Sequence, residues 1–273
     1  MKPAFLAAVL LISGPTLAAD EPKAEAPPAV QYAPDPDLEH PAYTYRTCLD
    51  LSGTQPDKAI ELAGKWIGLG GGEAAKHCQA LALVGLKEYG EGATRLEELA
   101  ASSKQTATIR ANMLAQAAQA WLLTDEFSRA YAAQTTALKI IPQGTRQHVE
   151  ILLDRAGTLA ETGRYDEAIS DVNAALRVEP NNPEAIAFRA SAHRMQGDLD
   201  DALLDAESAL ALNPTLVTAL LERGNIYRIQ KKLAEARRDW LRVLEIDPSS
   251  AMADAARTNI ERMDVDPHAS VKD

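Results

Sequence analysis

Apolar residues in the second half of the chain fall in a pattern that returns every 34 positions. When segments 149–182, 183–216 and 217–250 are laid in register, Leu152, Ile186 and Leu220 share one column, and Tyr165, Leu199 and Leu233 share another. The second half of each segment aligns Ala175, Ala209 and Val243, then Leu176, Leu210 and Leu244, and ends in Pro180, Pro214 and Pro248. Small residues have columns of their own: Ala156, Ala190 and Gly224, then Ala168, Ala202 and Ala236. Small side chains let two helices approach while larger neighbours fill the hollows between them. Gly163 and Gly197 allow a tight turn between two helices, and the prolines end the second one. Each segment is therefore predicted to be a helical hairpin. A lone hairpin leaves one apolar face uncovered, and a second copy buries it.

The pattern extends in both directions. Ala118, Trp121, Phe127, Ala130, Ala137, Leu138 and Pro142 fill the same columns in an earlier copy. From Pro142 to Pro180 the spacing is four residues longer than the period, so "QGTR" is expected to enlarge that loop. Before this copy the signal fades, although "PDKAIELAGKWIGLG" and "HCQALALVGLKEYGEGATRLEELA" still read as helices. After Ser250, Met252, Ala256, Ile260 and Met263 form one stripe of a helix suited to covering the last hairpin.

The 34-residue unit, written "AETGRYDEAISDVNAALRVEPNN" in this chain, resembles the tetratricopeptide repeat. Lys231 stands where the turn glycine is usual, and aliphatic residues replace the tryptophan of the first helix. The resemblance implies an all-α, right-handed superhelical solenoid of antiparallel hairpins. It divides the chain into 42–107 (degenerate repeats), 108–250 (four repeats, about 111–144, 149–182, 183–216 and 217–250) and 251–264 (a capping helix). It also implies a binding surface for peptide segments or partner domains, lined by the first helices. Carried onto this chain, that lining includes Asn112, Gln116, Gln119, Asp154, Phe188, Ser191, Met195, Leu221, Glu222, Asn225 and Arg228, with Glu150, Glu161, Glu184 and Ile229 alongside. Some members of the family grip a terminal carboxylate. Here Asp154, Phe188 and Glu222 occupy a key column of that clamp, which argues against such a ligand and for a segment with apolar anchors and neutral or basic character.

One further column is charged. Arg155, Arg189 and Arg223 recur on the first helix, and Asp171, Asp205 and Asp239 recur 16 residues later on the second. The pattern predicts three bidentate ion pairs, each closing one hairpin.

Composition supports helices: alanine and leucine dominate the 273 residues and only 5% are aromatic. The opening "MKPAFLAAVLLISGPTLAAD" has a charged start, a short apolar stretch and small residues at Ala18 and Ala19, so residues 1–19 read as a secretory signal peptide. The mature chain is then expected to be exported, to the periplasm or beyond, with no membrane span. Residues 20–41, rich in proline and acid, and 265–273 have the composition of unfolded segments. The formal charge of −11 argues against nucleic acid as a partner. The local basic cluster from Lys231 to Arg242 reads as a solvated helix face. Cys48 and Cys78, an isolated pair in an exported chain, are expected to form a disulfide.

No catalytic set emerges. "GLGGGEAAKHC" lacks the preceding strand and the lysine-serine or lysine-threonine pair of a phosphate-binding loop. The five histidines are scattered, and His77 beside Cys78 has no further ligands for a metal. The sequence reading is a non-enzymatic, cofactor-free scaffold of the cell envelope that binds another protein. The competing readings are an envelope hydrolase with an unrecognised site and a self-assembly module of a larger complex.

Overall fold

A computed structural model describes residues 40–265, so the signal segment, most of the leader and the tail from 266 lie outside the described residues. The described residues form thirteen helices and no strands. Their contacts divide into two units, 40–103 and 104–265.

The first unit contains α1 (Pro41–Thr54), α2 (Pro56–Gly68), α3 (Gly72–Gly85) and α4 (Tyr89–Ser102). Helix α3 packs against the other three. Cys48 on α1 and Cys78 on α3 form a disulfide across Cα atoms 6.0 Å apart, and Leu51, Leu62 and Ala63 pack around it. Beside it, Tyr45 Oη and His77 Nδ1 lie 2.6 Å apart. The connection from α2 to α3 is the short glycine-rich turn 69–71, where the indole of Trp66 lies so close to Gly71 that a Cβ there would sit 2.6 Å from it. Ser103, the last residue of this unit, donates to Glu73 at 2.6 Å, and Thr106 caps the helix that follows.

The second unit contains α5 (Ala107–Leu122), α6 (Phe127–Ile140), α7 (Arg146–Glu161), α8 (Tyr165–Val178), α9 (Pro183–Gln196), α10 (Leu199–Leu212), α11 (Val217–Ile229), α12 (Leu233–Ile246) and α13 (Ala251–Val265). Consecutive helices pack on one another as a solenoid of antiparallel hairpins. The first helices are α5, α7, α9 and α11, and α13 packs on both α11 and α12.

Each hairpin turn is built the same way. Lys87, Asp125, Gly163, Gly197 and Lys231 all have positive φ, between 57° and 92°. In every case the following amide bonds back to the carbonyl five residues earlier, as from Arg164 N to Leu159 O at 2.9 Å and from Lys232 N to Tyr227 O at 2.8 Å, satisfying carbonyls at the helix end. Lys231 thus adopts the glycine conformation with its side chain in place. Of the first helices, α5, α7 and α9 start on side-chain caps, and so does α13: Thr106, Thr145, Asn182 and Ser250 each accept from an amide three residues on, whereas α11 starts after Leu216 without one.

The expected enlarged loop is a correction. The connection from α6 to α7 runs 141–145, one residue longer than that from α8 to α9, and the other three extra residues, Arg146, Gln147 and His148, extend the start of α7. Thr145 supplies a cap three residues earlier than Asn182 does in its repeat, so the helix propagates into residues that otherwise would be loop.

The interior runs on from hairpin to hairpin. Leu153 joins the cluster around Val149, Leu152 and Ala175 to the one around Ala156, Leu159 and Val172, and Leu176 joins the latter to the large cluster that ends at Met263. The small-residue columns are buried where the helices cross. At the last crossing Gly224 faces the Trp240 indole, which fills the space an alanine pair leaves at Ala190 and Ala206.

Candidate functional site

The three recurring arginines each lie within 2.7 Å of their aspartate. Each guanidinium reaches both carboxylate oxygens, as Arg189 Nε and Nη2 do with Asp205. In two of the three the remaining arm reaches back to the preceding hairpin: Arg155 Nη1 to Thr135 at 3.2 Å and Arg189 Nη1 to Asn173 at 2.6 Å. One arginine on a first helix thereby holds two second helices. Hydrogen bonding to the aspartate raises the proton affinity of all three guanidinium groups. The arginines are structural staples, and their aspartates are buried.

The face lined by the first helices is distinct from these staples. A stripe on α7 carries Glu150, Asp154, Gly157 and Glu161, and the same register positions on α9 carry Glu184, Phe188, Ser191 and Met195. Residues four and seven apart share one helix face. Neighbouring first helices are tied to one another across this face. Gln147 donates to Asn112 Oδ1 and Gln119 bonds to Asp154. Further along, Thr218 donates to Glu184 at 3.1 Å, Arg194 Nε to Glu222 at 2.7 Å, and Asn259 on α13 to Asn225 at 2.9 Å.

Of the residues expected to line a partner site, Asn112 is exposed, and Gln116, Gln119, Asp154, Phe188, Ser191, Met195, Glu222, Asn225 and Arg228 are half-buried. Phe188 rests on the cluster of Ala156, Leu159 and Ala185, and Met195 Sδ accepts from Arg194 Nη1 at 3.4 Å. Leu221 is a correction. It is only 6% exposed and belongs to the core with Leu220 and Trp240, because adjacent helix residues point about 100° apart and Glu222 already holds the lining position. The sequence reading also overlooked Gln147, Arg194, Thr218 and Asn259, the partners that tie the face together. Arg194 and Arg228 recur 34 residues apart, a signal that could have singled out Arg194.

Electrostatically this face carries a cost. Burial, reinforced by Glu150 and only partly offset by the hydrogen bond from Gln119, pushes the Asp154 carboxyl up to about 6 from its ordinary 3.8. Burial also raises the Glu184 carboxyl, opposed by the Thr218 hydroxyl. A carboxyl with a raised folded-state value holds its proton more tightly when folded, so stability falls as pH rises from about 4 through about 6, and the full penalty stands above that. Asp154→Asn keeps an acceptor for Gln119 and removes the charge. Denaturant unfolding at pH 7.5 should show it more stable by about 1–2 kcal/mol, with the gain gone near pH 4. An equal gain at both values would contradict this reading.

Among the described residues no group of three or more histidine, cysteine or carboxylate side chains could hold a metal, and both cysteines are in the disulfide. None of the described helices is long and apolar enough to cross a membrane.

The tetratricopeptide repeat family model matches residues 153–217 and again 190–251. Among solved structures, a MamA RS-1 ArsTM double mutant superposes with a TM-score of 0.55 at 17% identity, over 65% of this chain and 95% of that one. MamA from residue 41 to its end, from Desulfovibrio magneticus RS-1, gives 0.55 at 17%, over 66% and 97%. The first repeat domain of Spaghetti (RPAP3), solved bound to the HSP90 peptide SRMEEVD, is 28% identical over 46% of this chain and 97% of that one, with a TM-score of 0.41. No curated protein sequence matches. The two MamA structures show that the fold is shared.

Proposed function

We propose, from the premise that this chain is a tetratricopeptide repeat protein over residues 153–251, that it is a non-enzymatic scaffold of the cell envelope which holds a peptide segment or partner domain on its first-helix face. The observation that carries this reading is the row of ties across that face. Gln119 to Asp154, Arg194 to Glu222 and Asn259 to Asn225 fix neighbouring first helices in register. They leave Phe188 and Met195 half-buried on α9, between polar groups. A surface fixed before binding loses little freedom when a ligand arrives.

The envelope location rests on the export pattern of residues 1–19 and is supported by the Cys48–Cys78 disulfide, since such bonds persist in oxidising compartments.

Site-specific photocrosslinking in the native cell tests the proposal. A benzophenone side chain placed at Phe188 or Met195 should capture the same partner, identified by mass spectrometry. The same probe at Leu204, 63% exposed on the second helix α10, should not capture it. Capture of one protein from all three positions, or from Leu204 alone, would contradict the assignment of the face.

A further inference from the structure

The carboxylates of the repeats are treated in two ways. Asp171, Asp205, Asp239 and Glu222 are each closed by an arginine. Asp154 and Glu184, on the first-helix face, are held by the neutral donors Gln119 and Thr218. Among the described residues neither has an ion-pair partner, and Glu150, one turn from Asp154, pairs only with the exposed Arg146. Asp154 is half-buried and its carboxyl is raised, while Glu184 is exposed to an incoming ligand, its carboxyl also raised by desolvation; a cation brought by a ligand would reverse both. A half-buried acid without a cation, in a chain that elsewhere supplies arginines for its buried acids, marks a place where the missing charge comes from outside.

The apolar half of the site lies next to the acids. Glu184, Phe188, Ser191 and Met195 form one stripe of α9, so an acid and a phenyl ring are separated by one helical turn, about 6 Å of rise. In an extended chain, residues two apart are about 6.6–6.8 Å apart and point to the same side. The two spacings match. The chain's net charge of −11 adds long-range attraction for a basic partner.

Resting on the function proposed above, we infer that the occupant of this face is an extended segment of a partner protein carrying a lysine or arginine two residues from an apolar side chain. Its cation is taken by the carboxylates of Asp154 and Glu184, and its apolar side chain by Phe188 and Met195. The charge selects the segment and the apolar contact retains it.

Fluorescence anisotropy with the full chain tests this, using labelled peptides of repeating Lys-Gly-Leu-Gly and the same peptides with Gln or Glu for Lys. The Lys peptide should bind about tenfold tighter than the Gln peptide, and the Glu peptide more weakly still. Asp154→Asn with Glu184→Gln should reduce Lys-peptide affinity about fivefold or more and leave Gln-peptide affinity unchanged. Asp200→Asn with Glu245→Gln, the same charge removed from exposed positions on second helices, should change neither. An equal loss from that control pair would reduce the effect to bulk charge and overturn the inference. Equal binding of all three peptides, lost with Phe188→Ala and Met195→Ala, overturns the charge preference and leaves the face as a binding site. No binding by any peptide, together with no crosslink from position 188, overturns both readings.

Discussion

Arg189→Ala should destabilise the second unit by about 3 kcal/mol, because it leaves the Asp205 carboxylate buried without its cation. Asp205 is only 7% exposed and receives two bonds from that guanidinium, at 2.7 Å each. The same substitution removes the arm that reaches Asn173 on the preceding hairpin. Replacing both partners with apolar residues, Arg189→Met with Asp205→Leu, should recover most of the loss, since no charge is then stranded. Denaturant unfolding of the two variants beside the wild type measures both effects. If Arg189→Ala costs no more than a surface substitution, within about 0.5 kcal/mol, the staple contributes nothing and the recurring column has another cause.

Loss of the disulfide should cost the first unit about 3–4 kcal/mol, the closure entropy of a loop of about 30 residues. Cys48 and Cys78 join α1 to α3, and they sit in the small cluster with Leu62 and Ala63. Small units have little core to spare. Cys48→Ala with Cys78→Ala, or the reduced wild-type protein, should melt at lower temperature and lose amide protection first in α1 and α3. Reduction that leaves both melting and protection unchanged would show that packing alone holds these helices. Alkylation before and after reduction separately reports whether the bond is formed in protein taken from the cell.

The repeated half of the fold was legible because its causes are local and periodic. The small columns at Ala156, Ala190 and Gly224, and the arginine and aspartate 16 residues apart, state a hairpin geometry that the chain then adopts. Lys231 shows the limit of residue type: it takes up a left-handed turn because the helices on either side are already committed, although glycine would do so with less strain. Where the spacing lengthened, the sequence did not say which element absorbed the extra residues. The position of a cap decided it, with Thr145 starting α7 early.

The face was read less well than the fold. Register columns identified Asp154, Phe188 and Glu222, but a column one residue away, that of Leu221, is turned into the core. The ties across the face involve pairs such as Gln119 with Asp154 and Arg194 with Glu222, whose separations of 35 and 28 residues depart from the period. Such contacts depend on how far one helix is offset against the next, which no single-helix periodicity records. The burial that raises Asp154 is likewise a property of two helices together.

Each hairpin is held by its neighbours through one shared interior and the arginines that cross it. Amide hydrogen exchange on the wild type and on Arg189→Ala tests this most directly. The substitution should lower protection in α8, α9 and α10 together, since Asn173, Arg189 and Asp205 lie on those three helices. Loss confined to the turn around residue 189, with α8 and α10 as protected as before, would contradict it.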